Sequence, residues 1–396
     1  MKKALQILAL VAWISKIDAA TFYVAPNGCP SNNGLSTNSP WPFGYAITNA
    51  GAGATVMMMD GPFTDGPYFV ANASNTFKAI NKLKPTFWNI AGSKAQGLIY
   101  LPGAAASGTV IDGLAFSNCQ YTAVYVLNGA RNVALRNLWV QHTGKTFPPS
   151  SNASGVALEP GSDNLVERCI LEFNGTNNTG QNHGIYCGGT NGGYRANVCR
   201  YNGGLGIVLN GHAFYDKNNQ FYENLIYGNN NGDPVSDEQF AFASDTPSSF
   251  TNYAYGNTII SRGDYAIYCK NTDCRITNNV IVSTNDGIWH LAGTTPSCDY
   301  NSAPQPLAFS GPHDVVNSYM GFVNATNGLY WLKSDSPARR NALAGVCGSV
   351  DFFGNPQVLV EDIGAFQHCP MEAADNRVLD PSPPVGPGYW DTPFHH

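Results

Sequence analysis

The chain has few charged side chains. Of its 396 residues, 12% are charged, and the 21 basic and 27 acidic residues give a formal net charge of −6. No stretch concentrates Lys or Arg into the basic footprint that nucleic-acid-binding proteins show, so nucleic acid is not an expected partner. Glycine and asparagine are plentiful instead. This composition is typical of many short strands joined by tight turns and not of helices.

Long apolar runs are also missing after the N-terminus. Beyond residue 20 no segment approaches 18 uninterrupted apolar residues, whereas a helix that crosses a membrane needs about 20. We therefore expect no membrane partner. The sequence has neither a CxxC spacing nor a His-rich cluster, the patterns typical of zinc sites, so a structural metal is not expected.

The N-terminus has the features of a signal peptide. Lys2 and Lys3 precede the apolar run of residues 4–14, and Ala19 and Ala20 are small residues suited to cleavage. We predict a signal peptide over residues 1–19 and a secreted, extracellular protein. Its removal takes away three lysines and one aspartate, which leaves 18 basic and 26 acidic residues and a net charge of −8.

Ten cysteines remain in the mature chain, an even number that favours disulfides in an oxidising compartment. Cys269 with Cys274 could close one turn, and Cys347 with Cys369 could staple the last segment, while the other pairings stay open. Five Asn-x-Ser/Thr sequons predict a glycoprotein made by a eukaryotic secretory route. They begin at Asn72, Asn152, Asn174, Asn177 and Asn324.

Between residues 106 and 292 the chain repeats a short element of the form small–aliphatic–x–apolar. Examples are AVYVLN (123–128), GVALEP (155–160), GIYCGG (184–189), GIVLNG (206–211), AIYCKN (266–271) and GIWHLA (287–292). Alternation along a strand places one set of side chains on the inner face. This set comprises Val124, Val156, Ile185, Ile207, Phe240, Ile267 and Ile288.

A second repeated element is Asn followed by an apolar pair, with Arg168 in its place in one coil. Successive copies are 31, 29, 27, 33 and 22 residues apart, a range typical of stacked supersecondary units. Because equivalent residues of successive coils stack about 4.8 Å apart, the amides can hydrogen-bond each other and the turn backbone. We predict an internal, structural ladder of Asn137, Asn197, Asn224, Asn257 and Asn279.

The pattern resembles the right-handed parallel β-helix families of secreted carbohydrate-active proteins, the pectate-lyase-like superfamily. The likeness runs from TFYVAPNGCP (21–30) to EDIGAFQ (361–367). It implies an all-β solenoid in which a strand, a Gly/Asn-rich loop and a capping helix form the N-terminal cap. We divide the domain, residues 20–370, into a cap segment (20–105), regular coils (106–292) and a closing segment (293–370). A Pro-rich tail follows (371–396).

Aromatic residues recur on the outward side of the GIYC-type strands. Sugar rings pack their C–H faces on aromatic rings, and aromatic edges can hydrogen-bond sugar hydroxyls. This row therefore predicts a binding face for a polysaccharide that lies across several coils. The predicted substrate-binding residues are Tyr125, Asn210, His212, Tyr268, Lys270 and Trp289.

Chemistry is expected near residues 182–195, where His183 and Tyr186 lie at one strand start with Glu159 one coil below. A lyase needs a base to take the C5 proton of a uronic acid, an acid to protonate O4, and a cation to neutralise the carboxylate. His183 or Lys145 is the candidate base and Tyr186 the acid.

The carboxylate of the sugar could be neutralised by Arg195, by Lys270 or by a bound Ca²⁺. Two alternatives to a lyase stay open. A glycoside hydrolase would use Glu159 with an acid from an insert. A non-catalytic glycan-binding or structural protein would use the coil as a rigid rod. Because the cap and the closing segment would cover both ends of the coil, a monomer is expected.

Overall fold

The computed structural model describes residues 20–70, 72–91, 97–144, 153–175, 182–210, 216–230, 238–263, 265–291, 296–344 and 362–365, without the side chains of 244–250, 271 and 327. The predicted signal peptide, the whole Pro-rich tail and the Cys347–Cys369 pair lie outside these residues. The cap has the expected order, because strand Thr21–Val24 precedes helix Phe43–Asn49. Phe43 and Ile47 of this helix are buried over the first coils.

The chain winds into coils whose parallel strands form three faces, here called A, B and C. Face A contains Thr21–Val24, Thr55–Met58, Thr76–Ala79, Val110–Asp112, Ala134–Arg136, Leu165–Glu167, Gly193–Arg195, Gln220–Tyr222 and Ser297–Asp299. Face B contains Tyr68–Phe69, Gly97–Leu101, Thr122–Val126, Val156–Ser162, Ile185–Thr190, Ile207–Leu209 and Gly287–His290. Two long strands, Phe240–Tyr255 and Tyr265–Thr277, run through face B and on into face A.

Face C contains Gly61–Phe63, Pro85–Trp88, Ala115–Ser117, Trp139–Gln141, Ile170–Glu172, Val198–Arg200, Leu225–Tyr227, Thr258–Ile260, Val280–Val282, Ser302–Ala303 and Val315–Val316. Outside the coils, strands Phe322–Asn324 and Leu329–Leu332 pair antiparallel. Gly103–Ala106 and Ala325–Asn327 are short 3-10 helices. No described helix is long and apolar enough to cross a membrane.

The core is the column of inward side chains between the three faces. The inner row predicted for the GIYC-type strands is confirmed, because Val124 pairs in register with Val156 and the row continues coil by coil to Ile288. Its members are at most 1% exposed. Parallel strands with stacked apolar rows bury one continuous core along the coil axis.

An asparagine ladder runs along the corner between faces A and C. The Asn197 backbone N–H and side-chain amide both donate to Asn224 Oδ1 at 3.0 Å. The same double donation links Asn224, Asn257, Asn279 and finally Asn301. The residue before each ladder position turns the corner with a left-handed backbone, as at Ala196 with φ 52°.

Asn137 was predicted in this ladder, and that prediction is wrong. Asn137 has φ 52° and so occupies the left-handed position one residue earlier. Its amide donates to Asp112 Oδ1 at 2.7 Å, while buried Leu138 takes the ladder position in that coil. Asn is one of the few residues that adopt the left-handed conformation readily, which explains its presence there.

The other two corners have asparagine ladders as well. Asn174 and Asn202 begin one of them, joined at 2.9 Å, between faces C and B. Asn219 and Asn252 form the other, joined at 3.0 Å, between faces B and A. Asn174 is 0% exposed, and its amide also donates to Val140 O, so its predicted glycosylation is wrong because a glycan needs an accessible amide.

The remaining sequons and cysteines have mixed outcomes. Asn72 and Asn324 are partly exposed, and Asn152 and Asn177 lie outside the described residues. Cys269 and Cys274 are buried thiols that are not joined, and burial raises the pKa of Cys274 well above its usual value. The structure therefore does not contain the predicted Cys269–Cys274 bond.

Charged side chains alternate along the outward side of face A. Glu167 lies between two arginines of neighbouring coils, with Arg136 Nε 2.8 Å from Oε1 and Arg195 Nε donating to Oε2 at 2.6 Å. Glu167 is 6% exposed, whereas the arginine side chains are about two-fifths exposed. Opposite charges directly across a strand pair stabilise a sheet.

We expect Glu167→Gln to lower the free energy of unfolding by about 2 kcal/mol, because the ion pair with Arg136 and the charge-assisted hydrogen bond from Arg195 are lost while the shape is kept. Urea unfolding at pH 7 measures this difference. Asp273→Asn, at an exposed acid, is the matched control and should change stability by less than about 0.5 kcal/mol. An equal stability for both variants would contradict the assigned role of Glu167.

Candidate functional site

Outward side chains of face B form one row in register along the coil. The row consists of Phe69, Tyr100, Tyr125, Ala157, Tyr186, Val208, Ala241, Tyr268 and Trp289. The outward positions predicted for Tyr125, Tyr186, Tyr268 and Trp289 therefore agree with the strand register. Small residues interrupt the aromatic row at Ala157 and again between Tyr186 and Tyr268.

Within the row, aromatic rings stack from coil to coil. Tyr100 and Tyr125 have centroids 6.1 Å apart at an interplanar angle of 20°, and Tyr268 and Trp289 have centroids 4.5 Å apart at 23°. Rings stacked in this way present mainly their edges and polar atoms to solvent. Trp289, which is 36% exposed, is the most open of the four. The row thus offers hydrogen-bonding edges for sugar hydroxyls and an apolar surface at Trp289.

Tyr125 and Glu159 form a hydrogen-bonded pair at the first gap in the row. The phenol O–H of Tyr125 donates to Glu159 Oε1 at 2.7 Å, and both side chains are half-buried. Burial, and then the bond to the carboxylate, raise the pKa of Tyr125 above its usual range. Tyr125 therefore stays protonated and holds Glu159 beside Ala157.

Tyr186 lies one coil further on, as the sequence predicted. Its hydroxyl donates to the backbone carbonyl of Asn210 at 3.2 Å, and its ring stacks on His183 with centroids 6.1 Å apart. Asn210, which was predicted to bind substrate, thus accepts a hydrogen bond from Tyr186 through its backbone carbonyl oxygen. The phenol is half-buried and lies on the outward side of face B.

His183 does not fit the predicted role of the base. It is 4% exposed, and burial lowers its pKa to about 4. Its Nδ1 accepts a hydrogen bond from the Leu205 backbone N–H at 3.0 Å, which leaves the proton of the neutral ring on Nε2. A neutral imidazole whose acceptor nitrogen is occupied cannot take a proton from substrate, so this interpretation was wrong.

Arg195 was predicted as a carboxylate clamp beside Tyr186, and this too is wrong. Its strand belongs to face A, and its guanidinium is bound to Glu167 and to the Tyr222 hydroxyl at 3.2 Å. Face A is separated from face B by the corner at residues 191–192. The chain direction changes there, so residues only nine apart in sequence point outward from different faces.

Lys270 is the cation that the described strands place on the outward side of face B. It is half-buried, two residues after Tyr268, and has no acidic partner among the residues the structure covers. The register from Tyr186 to Tyr268 spans three coil steps, about 14 Å at the usual strand spacing. Lys270 and Tyr186 are therefore too far apart to act on one sugar ring.

The paired carboxylates that a glycoside hydrolase needs do not come together on the described strands. Glu159 lies in the face B strand Val156–Ser162, and Glu238 precedes the face B strand three coil steps later, about 14 Å away. Glycosidase carboxylates are about 5–9.5 Å apart. Glu238 instead lies near Tyr268, whose pKa is raised first by burial and then by this carboxylate.

Two predicted site residues, Lys145 and His212, lie outside the described residues, as does the acidic loop around Asp233. Within the described ranges no three His, Cys, Asp or Glu side chains come together as a metal site would require. A bound Ca²⁺, which the sequence leaves possible, stays a prediction.

Comparison with known proteins supplies the handedness of the coil. The family model described as right handed beta helix region matches residues 83–246. The chain is a right-handed parallel β-helix. The comparison with curated proteins gives no match.

Solved structures share this β-helix fold at low sequence identity. Pectate lyase Pel9A aligns with a TM-score of 0.59 at 14% identity, over 91% of this chain and 98% of that chain. XylC, solved with xylose, gives 0.52 at 9% identity over 87% and 98%. The GH136 lacto-N-biosidase from Eubacterium ramulus gives 0.51 at 13% identity over 75% and 68%. The β-helix is thus one that carbohydrate-active enzymes use.

Proposed function

We propose that the protein is a secreted polysaccharide lyase that binds a uronate-containing chain along face B and cleaves it by β-elimination. The observation that carries this proposal is the in-register row of tyrosines and Trp289, with Tyr186 and the Tyr125–Glu159 pair at adjacent coils. The predicted signal peptide at residues 1–19 supports secretion.

Tyr186 is the proton donor in this mechanism. A base removes the C5 proton of the uronate, the C4–O4 bond breaks, and the phenol of Tyr186 protonates the leaving O4. Its hydroxyl donates to the Asn210 carbonyl oxygen, and in the proposed reaction it donates to O4 instead. Tyr125 and Glu159 accept and donate hydrogen bonds at the sugar hydroxyls of the adjoining coil.

Lys270 and Lys145 have separate roles in the proposal. Lys270 binds the carboxylate of a sugar about 14 Å along the chain from the reacting one, next to the Tyr268–Trp289 stack. Lys145, in the segment that leads into face B, is the candidate base.

We expect Tyr186→Phe to lower kcat at least about 100-fold, because general acid catalysis contributes roughly 10²–10⁴-fold. Absorbance of new C4–C5 double bonds, followed on polygalacturonate, alginate and other uronate polymers with and without calcium, measures the rate. Tyr319→Phe is the control. That tyrosine is 46% exposed and hydrogen-bonded to Asp335 in the closing segment, so its variant should keep full activity.

Two outcomes would overturn the lyase assignment. New reducing ends without a rise in absorbance would show hydrolysis and would point to Glu159 with an acid outside the described residues. Binding across the whole panel without any product would leave a glycan-binding protein. Full activity of Tyr186→Phe, with unsaturated product formed, would remove Tyr186 from the mechanism but keep the reaction class.

A further inference from the structure

The later coils of face A carry aromatic and polar side chains where the earlier coils carry the alternating charges. This region, here called the face A patch, consists of Gln220, Tyr222, Tyr253, Tyr255 and Arg275. Tyr222 and Tyr255 stack with centroids 5.2 Å apart at 14°, and the Tyr255 hydroxyl donates to Gln220 Oε1 at 2.7 Å. The described part of the closing segment packs mainly on face C, and it contacts face A through His313 at Asp299, in the last strand of that face.

Arg275 is the cation of the face A patch. Its guanidinium lies 5.9 Å from the centre of the Tyr253 ring, and the residue is exposed. No described carboxylate pairs with it. Asp273, on the same strand, makes no ion pair with another described residue, and Asp299 is held by His313 at 2.8 Å. A guanidinium seated on an aromatic ring keeps its donor fork free for a planar anion.

We propose that the face A patch is a second glycan-binding site, which takes a polysaccharide chain that carries carboxylates. Arg275 would bind one carboxylate through two parallel hydrogen bonds, and the Gln220 amide with the tyrosine hydroxyls would bind sugar hydroxyls on neighbouring coils. The charge favours this ligand over a neutral glycan, since the one cation of the patch lacks an acidic partner in the described structure.

The patch is linked to face B by a single strand. Strand Tyr265–Thr277 places Tyr268 and Lys270 on face B and Arg275 on face A, on either side of the corner at Thr272. A polymer held by the patch would thus stay close to face B without occupying it. The site would raise the local concentration of substrate, and binding there does not require that face B cleaves anything.

Affinity electrophoresis of the full chain tests the proposal. In gels that contain polygalacturonate or alginate, we expect Arg275→Gln to weaken retardation about tenfold, the usual effect of losing one charge-assisted contact. Gels that contain neutral xylan should retard the variant and the parent equally. Arg340→Gln, at an exposed arginine of the closing segment, is the matched control and should behave as the parent in every gel.

Activity separates this site from the one on face B. Cleavage of short uronate oligosaccharides, which cannot reach both faces, should be unchanged in Arg275→Gln. Unchanged retardation of this variant in uronate gels would refute the second site, and equal losses in uronate and xylan gels would refute the carboxylated ligand. Loss of retardation in a protein that releases no unsaturated product would leave this site standing while the lyase proposal fails.

Discussion

Replacement of Asn224 by Ala should lower the free energy of unfolding by about 4 kcal/mol, enough to threaten folding at 37 °C. The side chain is 0% exposed and sits inside the ladder. Its Oδ1 accepts from the Asn197 backbone and side chain, and its Nδ2 donates to Tyr194 O and Asn257 Oδ1. Truncation leaves several buried groups without partners, each at a cost of about 1–3 kcal/mol.

Urea unfolding followed by circular dichroism checks this expectation. Asn341→Ala is the control, because Asn341 is exposed and its amide makes one local bond to Pro337 O. That variant should lose less than about 1 kcal/mol. If the two variants were equally stable, the hydrogen bonds of the ladder would not contribute to the stability of the fold.

Acidification from pH 7 to below pH 4 should remove about 3 kcal/mol of stability through His183 alone. Burial lowers the folded-state pKa of His183 from its usual value of 6.5 to about 4. As the pH falls through 6.5, the unfolded chain binds a proton at this residue while the folded chain does not. The contribution is thus fully present above pH 6.5, declines between 6.5 and 4, and is gone below 4.

The comparison of parent and His183→Gln over this pH range isolates the effect. The variant is less stable at pH 7, because it disturbs the bond from Leu205, but its stability should fall less steeply towards pH 4. Asn341→Ala, which removes no titratable group, is the control and should retain the parent slope. Parallel pH curves for His183→Gln and parent would mean that His183 titrates normally, against its buried position.

The repeat, the inner row and the outer row of face B could be predicted because they depend only on alternation along each strand. Val124 and Tyr125 illustrate this, since neighbours in sequence must point to opposite sides of a strand. The spacing of the repeats and the recurring Asn residues also predicted that equivalent residues of successive coils stack on each other. These features are local, and no long-range information was needed to predict them.

The ladder register could not be predicted to the residue, because two adjacent corner positions both favour Asn. Asn137 takes the left-handed position, whereas Asn197 takes the internal one. Only the partner in the next coil distinguishes them. The ladders at the other two corners were not predicted, for a similar reason. Asn202 and Asn219 lie in stretches rich in Gly and Asn, a composition that is equally typical of ordinary turns.

The site was harder to predict than the fold, because side-chain direction there depends on where each corner lies. Arg195 stands nine residues after Tyr186, yet one short corner sends it to face A. His183 precedes a strand, and whether such a residue points outward is decided by the backbone N–H of Leu205 in the next coil. Neither fact is encoded within a window of a few residues.

The closing segment also determines how the coils unfold. A solenoid whose coils touch only their neighbours can fray from one end, a coil at a time. Here Tyr330 and Ala365 pack with Val198 and Leu225, and Ile363 packs with Val280, so the segment bridges non-adjacent coils of face C. Asn278 also exchanges hydrogen bonds with Leu343, 65 residues away. The last coils cannot fray until the closing segment detaches from face C. These coils should therefore unfold together, in one cooperative transition.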